Sequence, residues 1–402
     1  MGNEVELSTV ITDIAAGPFG SNLKVECFVP SGFPIIDGAN LKGYKVTDNI
    51  TKFVTEEKAR SLSRSIAHRG DVIVTISGTI GQIAYIPEDS LYDEYLCSQR
   101  QFRVSFDSSM VYVPYLVFYF HTFEGQNKIL SFANQTGVPA LSQPLKNFKK
   151  IRLCLPSLQE QRRIASIVET LNDKIENNIK INDNLEQQAQ SYFQELFVDD
   201  ADPEWTTGTI SDLGAVVGGS TPSKAKPEYY TESGIAWITP KDLSINKSKF
   251  VSHGENDITE LGLKNSSAAI MPEGTVLFSS RAPIGYIAIA AGEVTTNQGF
   301  KSVVPKPEIG TPFVYFFLKN TLPVIEGMAS GSTFKEVSGS TMKNVPAVIP
   351  DAETLAKFSD FCAPIFAQQR ILEEQNQSLA TLRDNLLPKL MSGEIDVSAV
   401  QL

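Results

Sequence analysis

The run LPSLQEQRRIASIVETLNDKI, Leu155 to Ile175, opens a long helix, and the rest of the chain can be read outward from it. Pro156 closes the segment before it, Ser157 is a natural N-cap, and Glu160 three residues on completes a capping box. From Ile164 an alternating 4,3 spacing carries Ile164, Val168, Leu171, Ile175, Asn178, Asn182, Leu185, Ala189, Tyr192 and Leu196 with no Pro or Gly between them. That is a heptad seam of about five repeats, which needs a partner to cover it. Shifting by 194 residues gives Phe358, Cys362, Ile365, Gln369, Leu372, Asn376, Leu379, Arg383, Leu386 and Leu390, preceded by Asp351 as cap. The second seam is weaker. Pro364 and Pro388 predict a kink or a frayed end.

The helices therefore pair most simply with each other, antiparallel, as spacers over residues 156–198 and 351–402. Asn178 and Asn182 on one seam, and Gln369 and Asn376 on the other, give up stability to select register and partner. A helix of about 40 residues is about 60 Å long at 1.5 Å per residue, enough to hold two globules at a set distance. The alternative, two surface helices each packed on its own domain, is the plainer reading.

What precedes each helix also repeats. Ile11-Thr12-Asp13-Ile14 returns as Ile210-Ser211-Asp212-Leu213, each followed by a Gly-rich turn, GPFGSN and then GGSTPS. Gly70 to Val74 returns as Gly274 to Phe278, Ile80 to Ala84 as Ile284 to Ala288, and SQRQF at 98–102 as TNQGF at 296–300. YLVFYF at 115–120 answers FVYFFL at 313–318, and Leu145-Lys146-Asn147 answers Met342-Lys343-Asn344. The order never changes and the offsets stay between 194 and 204 residues, so one unit has been duplicated. Each globule, 1–155 and 199–350, reads as a mixed α+β domain of β-rich runs and turns, with aromatic stretches that fit short buried helices or strands. The fold class is thus α+β, two duplicated domains on a pseudo-two-fold pair of long antiparallel helices.

A duplicated enzyme would carry its catalytic residues twice, and this chain does not. His68, His121 and His253 form no HxH or HExxH and occupy no matching positions, which argues against a metal site. GxxxxGK[ST], GxSxG and the Asn/Asp-Pro-Pro-aromatic tetrapeptide of adenine methyltransferases are all missing. Gly78-Thr79-Ile80-Gly81 precedes a strand rather than a helix and reads as a tight turn, and the carboxylates of TEEKARSL read as an exposed helix start. The four cysteines are far apart with no CxxC, and MGNEVELSTV has no basic segment followed by an apolar one, so a reducing cytoplasm without export is expected. No apolar run is long enough for a membrane span.

With 402 residues, 42% hydrophobic and 20% charged, the chain has the makings of more than one globular core. Its net charge of −11 speaks at first against nucleic acid. By segment, however, residues 1–155 are neutral, 199–350 carry −4, and the helical segments carry −3 and −4. Basic residues gather near turns at Lys24, Lys42 and Lys45 in the first globule and at Lys224 and Lys226 in the second. Loops of this kind contact phosphates, and Arg, Asn and Gln read base edges. Ser98, Gln99, Arg100 and Gln101, with Thr296, Asn297, Gln298, Arg281 and Lys335, are the DNA-contact candidates, unless the recurring residues among them serve only the domain frame.

Two β-rich units, each with a late small and polar motif (TGVPALSQPLKN, SGSTFKEVSGSTMKN) before an apolar strand and a long heptad helix, resemble the specificity subunit of type I restriction-modification systems. LPSLQEQRRIA is the most specific piece; IPDAETLAKF in the second copy lacks the Glu-Gln pair. The resemblance implies target recognition domains that each read half of a bipartite double-stranded DNA site. It implies helices that set the gap and dock two copies of an adenine-N6 methyltransferase subunit, with an ATP-dependent restriction subunit as a further partner. S-adenosylmethionine, ATP and Mg would then sit on those partners and none on this chain, which would be no enzyme itself. Because the two units differ in loop sequence, the full site should be asymmetric. A competing expectation is a non-catalytic protein- or glycan-binding scaffold of two modules on a helical rod.

Overall fold

The computed structural model describes residues 3–134, 137–331 and 335–400. The chain forms two compact units, residues 1–174 with 379–402 and residues 175–378, so each long helix has residues in both.

In the first unit the central sheet is built from Ile11–Ala16 (β1), Val72–Thr75 (β2), Ile83–Tyr85 (β3) and Gln101–Phe106 (β4), in the order β1-β4-β2-β3 with every pair antiparallel. Val72, Val74, Phe102 and Val104 alternate onto one face, and against them lies Val113–Phe120 (α1), buried from Pro114 to Phe120. The aromatic run YLVFYF is therefore a helix. Pro114 sits in its first turn, where the absent N–H costs nothing, and a helix buried on all sides needs no polar face. A second sheet of five shorter strands, including Phe33–Ile36 and Glu94–Cys97 paired in parallel, covers the far side, where Ile36, Ala67, Tyr95 and Cys97 pack with Ile73 and Ala84.

Leu158–Gln194 (α2) follows. Ser157 Oγ accepts the Glu160 N–H at 3.3 Å, so the cap read from the sequence forms. Gln161 is fully buried. Its side chain donates to the Met110 and Pro156 carbonyls at 2.8 and 2.9 Å and accepts the Tyr112 N–H at 2.8 Å, tying the start of α2 to the start of α1.

The second unit repeats the plan with Gly214–Gly218 (β5), Phe250–Val251 (β6), Val276–Ser280 (β7), Ile284–Ala290 (β8) and Lys301–Pro305 (β9), ordered β5-β9-β7-β8-β6. The edge pairing β6 to β8 is parallel. In the first unit the same edge holds only a parallel bridge from Lys45 to Tyr85. Thr311–Gly327 (α3) is the counterpart of α1, longer and carrying Pro323 inside it. Ala352–Ser392 (α4) closes the chain, with Asp351 Oδ1 accepting the Thr354 N–H at 2.9 Å as its cap.

Neither Pro364 nor Pro388 ends α4, which is helical across all 41 residues, contrary to the expected frayed end. The reason near Pro364 is packing. Cys362 and Ile365 beside it are buried, and apolar burial outweighs one lost backbone bond.

Within each unit the helix segments pair antiparallel, as the seams predict. In the second unit Asn178 donates to Asn376 at 2.8 Å, Gln369 to the Asn182 carbonyl at 3.1 Å, and the Tyr192 and Phe361 rings lie 4.5 Å apart. In the first, Arg383 donates to Asn172 at 3.0 Å. Of the seam residues, Ile164, Val168, Asn178, Ile365 and Leu372 are buried, while Leu171, Ile175, Asn182, Leu185, Asn376, Leu379 and Leu386 are half-buried. The buried stripe is also wider than a two-helix seam. Ala165, Phe193, Leu355, Phe366 and Leu387 join it because the helix segments of each unit pack on that unit's globule as well as on each other. The two sequence alternatives, mutual pairing and packing on a globule, are thus both realised.

Candidate nucleic-acid interface

The two units share a polar cleft at the same place in the frame, where the turn before the last sheet strand meets the Gly-rich turn and a capped loop. The first, about 670 Å³, is lined among others by Asp37, Lys52, Gln82, Ser98, Gln99 and Arg100. The second, about 710 Å³, is lined among others by Lys224, Trp237, Lys241, Arg281, Asn297 and Gln298.

The backbone fixes how the two clefts correspond. Ser98 N donates to the Ile36 carbonyl and Asn297 N to that of Ile238, both at 3.0 Å. Gln101 N donates to Ser98 O and Phe300 N to Asn297 O, both at 3.2 Å. Ile76 N donates to Arg100 O at 2.6 Å and Ser280 N to Gly299 O at 2.7 Å. Ser98 therefore corresponds to Asn297 and Arg100 to Gly299. Matching the letters SQRQF and TNQGF is one residue out of step. The shared Phe drew the sequence comparison off, whereas hydrogen bonds define the frame.

Glycine is required where the turns meet. A Cβ on Gly17 would lie 1.8 Å from the Ser98 carbonyl oxygen, and one on Gly219 would lie 2.0 Å from that of Asn297. Gly17, the first residue of GPFGSN, and Gly219, the second of GGSTPS, let each loop press onto the cleft floor.

The capped loops form the opposite wall. Asp37 accepts the Ala39 N–H at 2.9 Å while Asn40 Oδ1 accepts the Asp37 N–H at 3.0 Å. In the second unit Asp242 accepts the Thr239 N–H at 2.7 Å. Burial would raise the Asp37 carboxyl, but Lys52 at 2.6 Å and the Ala39 N–H outweigh it and hold Asp37 below the usual carboxylate range. Lys241 is paired with Glu255 at 2.5 Å. Trp237 donates to the Ser220 carbonyl at 3.0 Å and stands edge-on to Tyr230 at 5.7 Å, so an aromatic pair flanks the second cleft. The first has the apolar Val25 and Phe28 there.

The sequence candidates divide on this geometry. Arg100, Gln99, Ser98, Arg281, Asn297, Gln298 and Lys224 line the clefts. Several are also committed to the frame: Gln99 donates to Gly20 O at 3.3 Å and to Leu23 O, Asn297 accepts the Gly299 N–H at 2.8 Å, and Ser98 bonds to Gln101. Gln101 also lines the first cleft, although it is only 1% exposed and is held by Ser98. Thr296 is a correction: it is 1% exposed and lines neither cleft, which makes it a frame residue. Lys45 is a second. It pairs with Asp173 of α2 at 3.2 Å and lines a separate pocket with Glu169, because the strand edge turns it toward the helix. Lys24 is exposed between the lining residues Leu23 and Val25. Lys42, Lys226 and Lys335 are exposed and line neither cleft, and Lys226 lies 3.7 Å from Glu228. Of the late polar motifs, Thr136, Ser332, Thr333 and Phe334 lie outside the described residues.

Sequence reasoning missed the second wall, although its signal was present. PIIDGANL at 34–41 and AWITPKDL at 236–243 share an apolar pair followed by a capping pattern, at the same offset as the other repeats. It also missed Phe19, 81% exposed at the tip of GPFGSN. Among the described residues no three His, Cys, Asp or Glu side chains cluster as metal ligands, and no helix is long and apolar enough to cross a membrane.

Comparison with known proteins agrees with the duplicated frame. A family model described as the type I restriction modification DNA specificity domain matches residues 29–187 and again 203–382. Over 194 residues the chain is 39% identical to the type I restriction enzyme MjaIX specificity subunit of Methanocaldococcus jannaschii, covering 46% of this chain and 45% of that protein. Over 392 residues it is 22% identical to the HindI specificity subunit of Haemophilus influenzae, covering 78% and 84%. The fold is similar to that of the type I restriction-modification S subunit from M. genitalium, with a TM-score of 0.60 at 16% identity over 97% of this chain and 96% of that one.

Proposed function

This chain belongs to the type I restriction modification DNA specificity family, and from that premise we propose that it is the sequence-reading, non-catalytic subunit of a type I restriction-modification complex. The observation that carries the reading is the pair of clefts. One backbone frame presents two different sets of side chains, as two half-sites of different sequence require. Each unit binds one half of an asymmetric, bipartite site on double-stranded DNA, and α2 and α4 set the gap between the halves.

The same helices dock two copies of an adenine-N6 methyltransferase subunit, which brings S-adenosylmethionine. An ATP-dependent restriction subunit brings ATP and Mg. The excess negative charge of the helical segments suits protein partners better than phosphate. Alone, the chain binds DNA weakly and with strong salt dependence, since much of the phosphate grip comes from its partners. The complex works in the cytoplasm. A protein- or glycan-binding scaffold is not favoured, because the family match covers both units.

The test is co-expression with the methyltransferase encoded beside it, followed by sequencing of modified adenines. A stable complex and a gapped, asymmetric motif are expected. A palindromic uninterrupted motif that depends on this chain would overturn the proposal.

A further inference from the structure

Once hydrogen bonding has aligned the clefts, an exchange appears on their floors. Ser77 corresponds to Arg281 and Arg100 to Gly299, because each pair flanks the same backbone bond, Ile76 N to Arg100 O and Ser280 N to Gly299 O. The next residue, Gly78 or Ala282, has positive φ in both units, 90° and 50°, which supports the match. Each floor thus holds one arginine, supplied by opposite turns, and the facing position is small.

In the first unit a Cβ built on Gly78 would lie 3.6 Å from Arg100 Nη1, so the guanidinium lies across the glycine. Arg100 is exposed and makes no ion pair among the described residues. In the second unit Arg281, with Gly299 opposite, is 3.4 Å from Glu336, a carboxylate that Lys301 shares at 3.8 Å.

We infer that Arg100 and Arg281 are the specificity-determining arginines of the two units, each reading one guanine in its own half-site; the inference rests on the proposed function. The surroundings distinguish base reading from phosphate binding. A phosphate site gathers cations, whereas these clefts combine their arginine with carboxylates and amides: Asp37 and Gln82 in one, Asp242, Glu255 and Asn256 in the other. Lys52 and Lys241 are already paired with carboxylates within the clefts, which leaves Lys224 as the one further cation among the described lining residues, beside the arginine of the second cleft. A guanidinium fork in such a setting matches the O6 and N7 acceptors of guanine. Exchanging the turn that supplies it moves the fork across the floor, so the guanine stands at a different place in each half-site.

The experiment uses the chain co-expressed with its methyltransferase partner, with sequencing of modified adenines for wild type, Arg100→Ala, Arg281→Ala, Arg100→Lys and Arg281→Lys. Arg100→Ala should relax discrimination by about 5- to 150-fold at one G·C position of one half only. Arg281→Ala should do the same in the other half. The lysine variants keep the charge but not the bidentate fork, so they too should relax the position, and they carry the test if an alanine variant abolishes modification. Rescue of the full motif by lysine would assign a phosphate contact and overturn the inference. So would an unchanged motif, relaxation at an A·T position, or relaxation of the same half by both arginines. A wild-type complex without a gapped motif would instead defeat the proposed function.

Discussion

At the edge of each central sheet one corresponding residue packs against the long helices, and the two units use opposite chemistry there. Tyr85 N donates to the Tyr44 carbonyl at 3.0 Å and Ile289 N to the Lys249 carbonyl at 2.7 Å, so Tyr44 and Lys249 occupy one position of the frame. In the first unit the globule supplies the aromatic ring and α4 supplies the cation: Arg383 lies 5.5 Å from the Tyr44 ring centre, and Phe118 and His121 pack on the same ring. In the second the globule supplies the cation and the helix the ring. Lys249 is 8% exposed, lies 4.1 Å from the Phe366 ring centre, and pairs with Glu186 of α2.

The consequence is a difference in electrostatic burden. Arg383 keeps part of its surface in water, so the first junction takes less charge out of solvent than the second. The second buries an ammonium among Glu186, Glu373, Gln369 and Tyr315. Burial lowers the Lys249 pKa despite its carboxylate neighbour and raises that of Glu373 despite two backbone N–H donors. For Glu186 burial is outweighed by Lys249 and Lys319, which hold it below the usual range. A duplicated frame therefore keeps the backbone position and leaves the means of docking the helices open. The same holds on the cleft floors, where the arginine changes sides.

Lys249→Met should have the largest effect. It removes one partner of a buried pair and should cost the second unit about 3–5 kcal/mol, toward the lower end because Lys319 remains 2.5 Å from Glu186. Both tryptophans, Trp205 and Trp237, lie in the second unit, so urea unfolding followed by tryptophan fluorescence reports it selectively. An unchanged midpoint would mean that the charged junction contributes nothing.

Gln161→Leu should come next, at about 1–3 kcal/mol for a buried Tyr112 N–H and two carbonyls left without their partner. Its mark is faster hydrogen exchange at the start of α1, with the tryptophan-monitored transition unmoved. Arg383→Ala should cost about 0.5–2 kcal/mol, since it removes a ring contact and a bond to Asn172 without stranding a buried charge. A loss as large as that of Lys249→Met would erase the proposed asymmetry.

The smallest effect concerns pH. Burial is the main cause that lowers the His121 pKa below 6.5, although the Ile83 carbonyl at 2.8 Å pulls the other way. The unfolded chain then takes up the proton more readily than the folded one. Stability of the first unit is full above pH 6.5 and falls as the pH drops through the lowered folded value. Thermal unfolding between pH 7.5 and 5.5 should show that decline in the wild type, and His121→Gln should flatten it.

Much of the architecture was legible because it rests on periodicity. The heptads, the Ser157 and Asp351 caps and the ordered repeats each follow from local spacing, and the structure contains them. The Gly-rich turns were legible as turns, but their reason was not: Gly17 and Gly219 are needed for contact with segments some 80 residues away. Gln101 and Thr296 look like readers, yet both are buried, Gln101 bonded to Ser98 and Thr296 packed against Gly219. Lys45 looked like a phosphate contact near a turn, and only the packing of the strand edge on α2 shows it paired with Asp173.

Residue order carries the duplication, the two helices with their seams and two similar globules, because repeats and helical stripes are local patterns. Only the tertiary structure decided which side chains share a cleft, which position of one unit answers which of the other, and which polar residues are spent inside. Those outcomes depend on hydrogen bonds and burial between segments far apart in the chain, where a shift of one residue exchanges a reader for a frame residue.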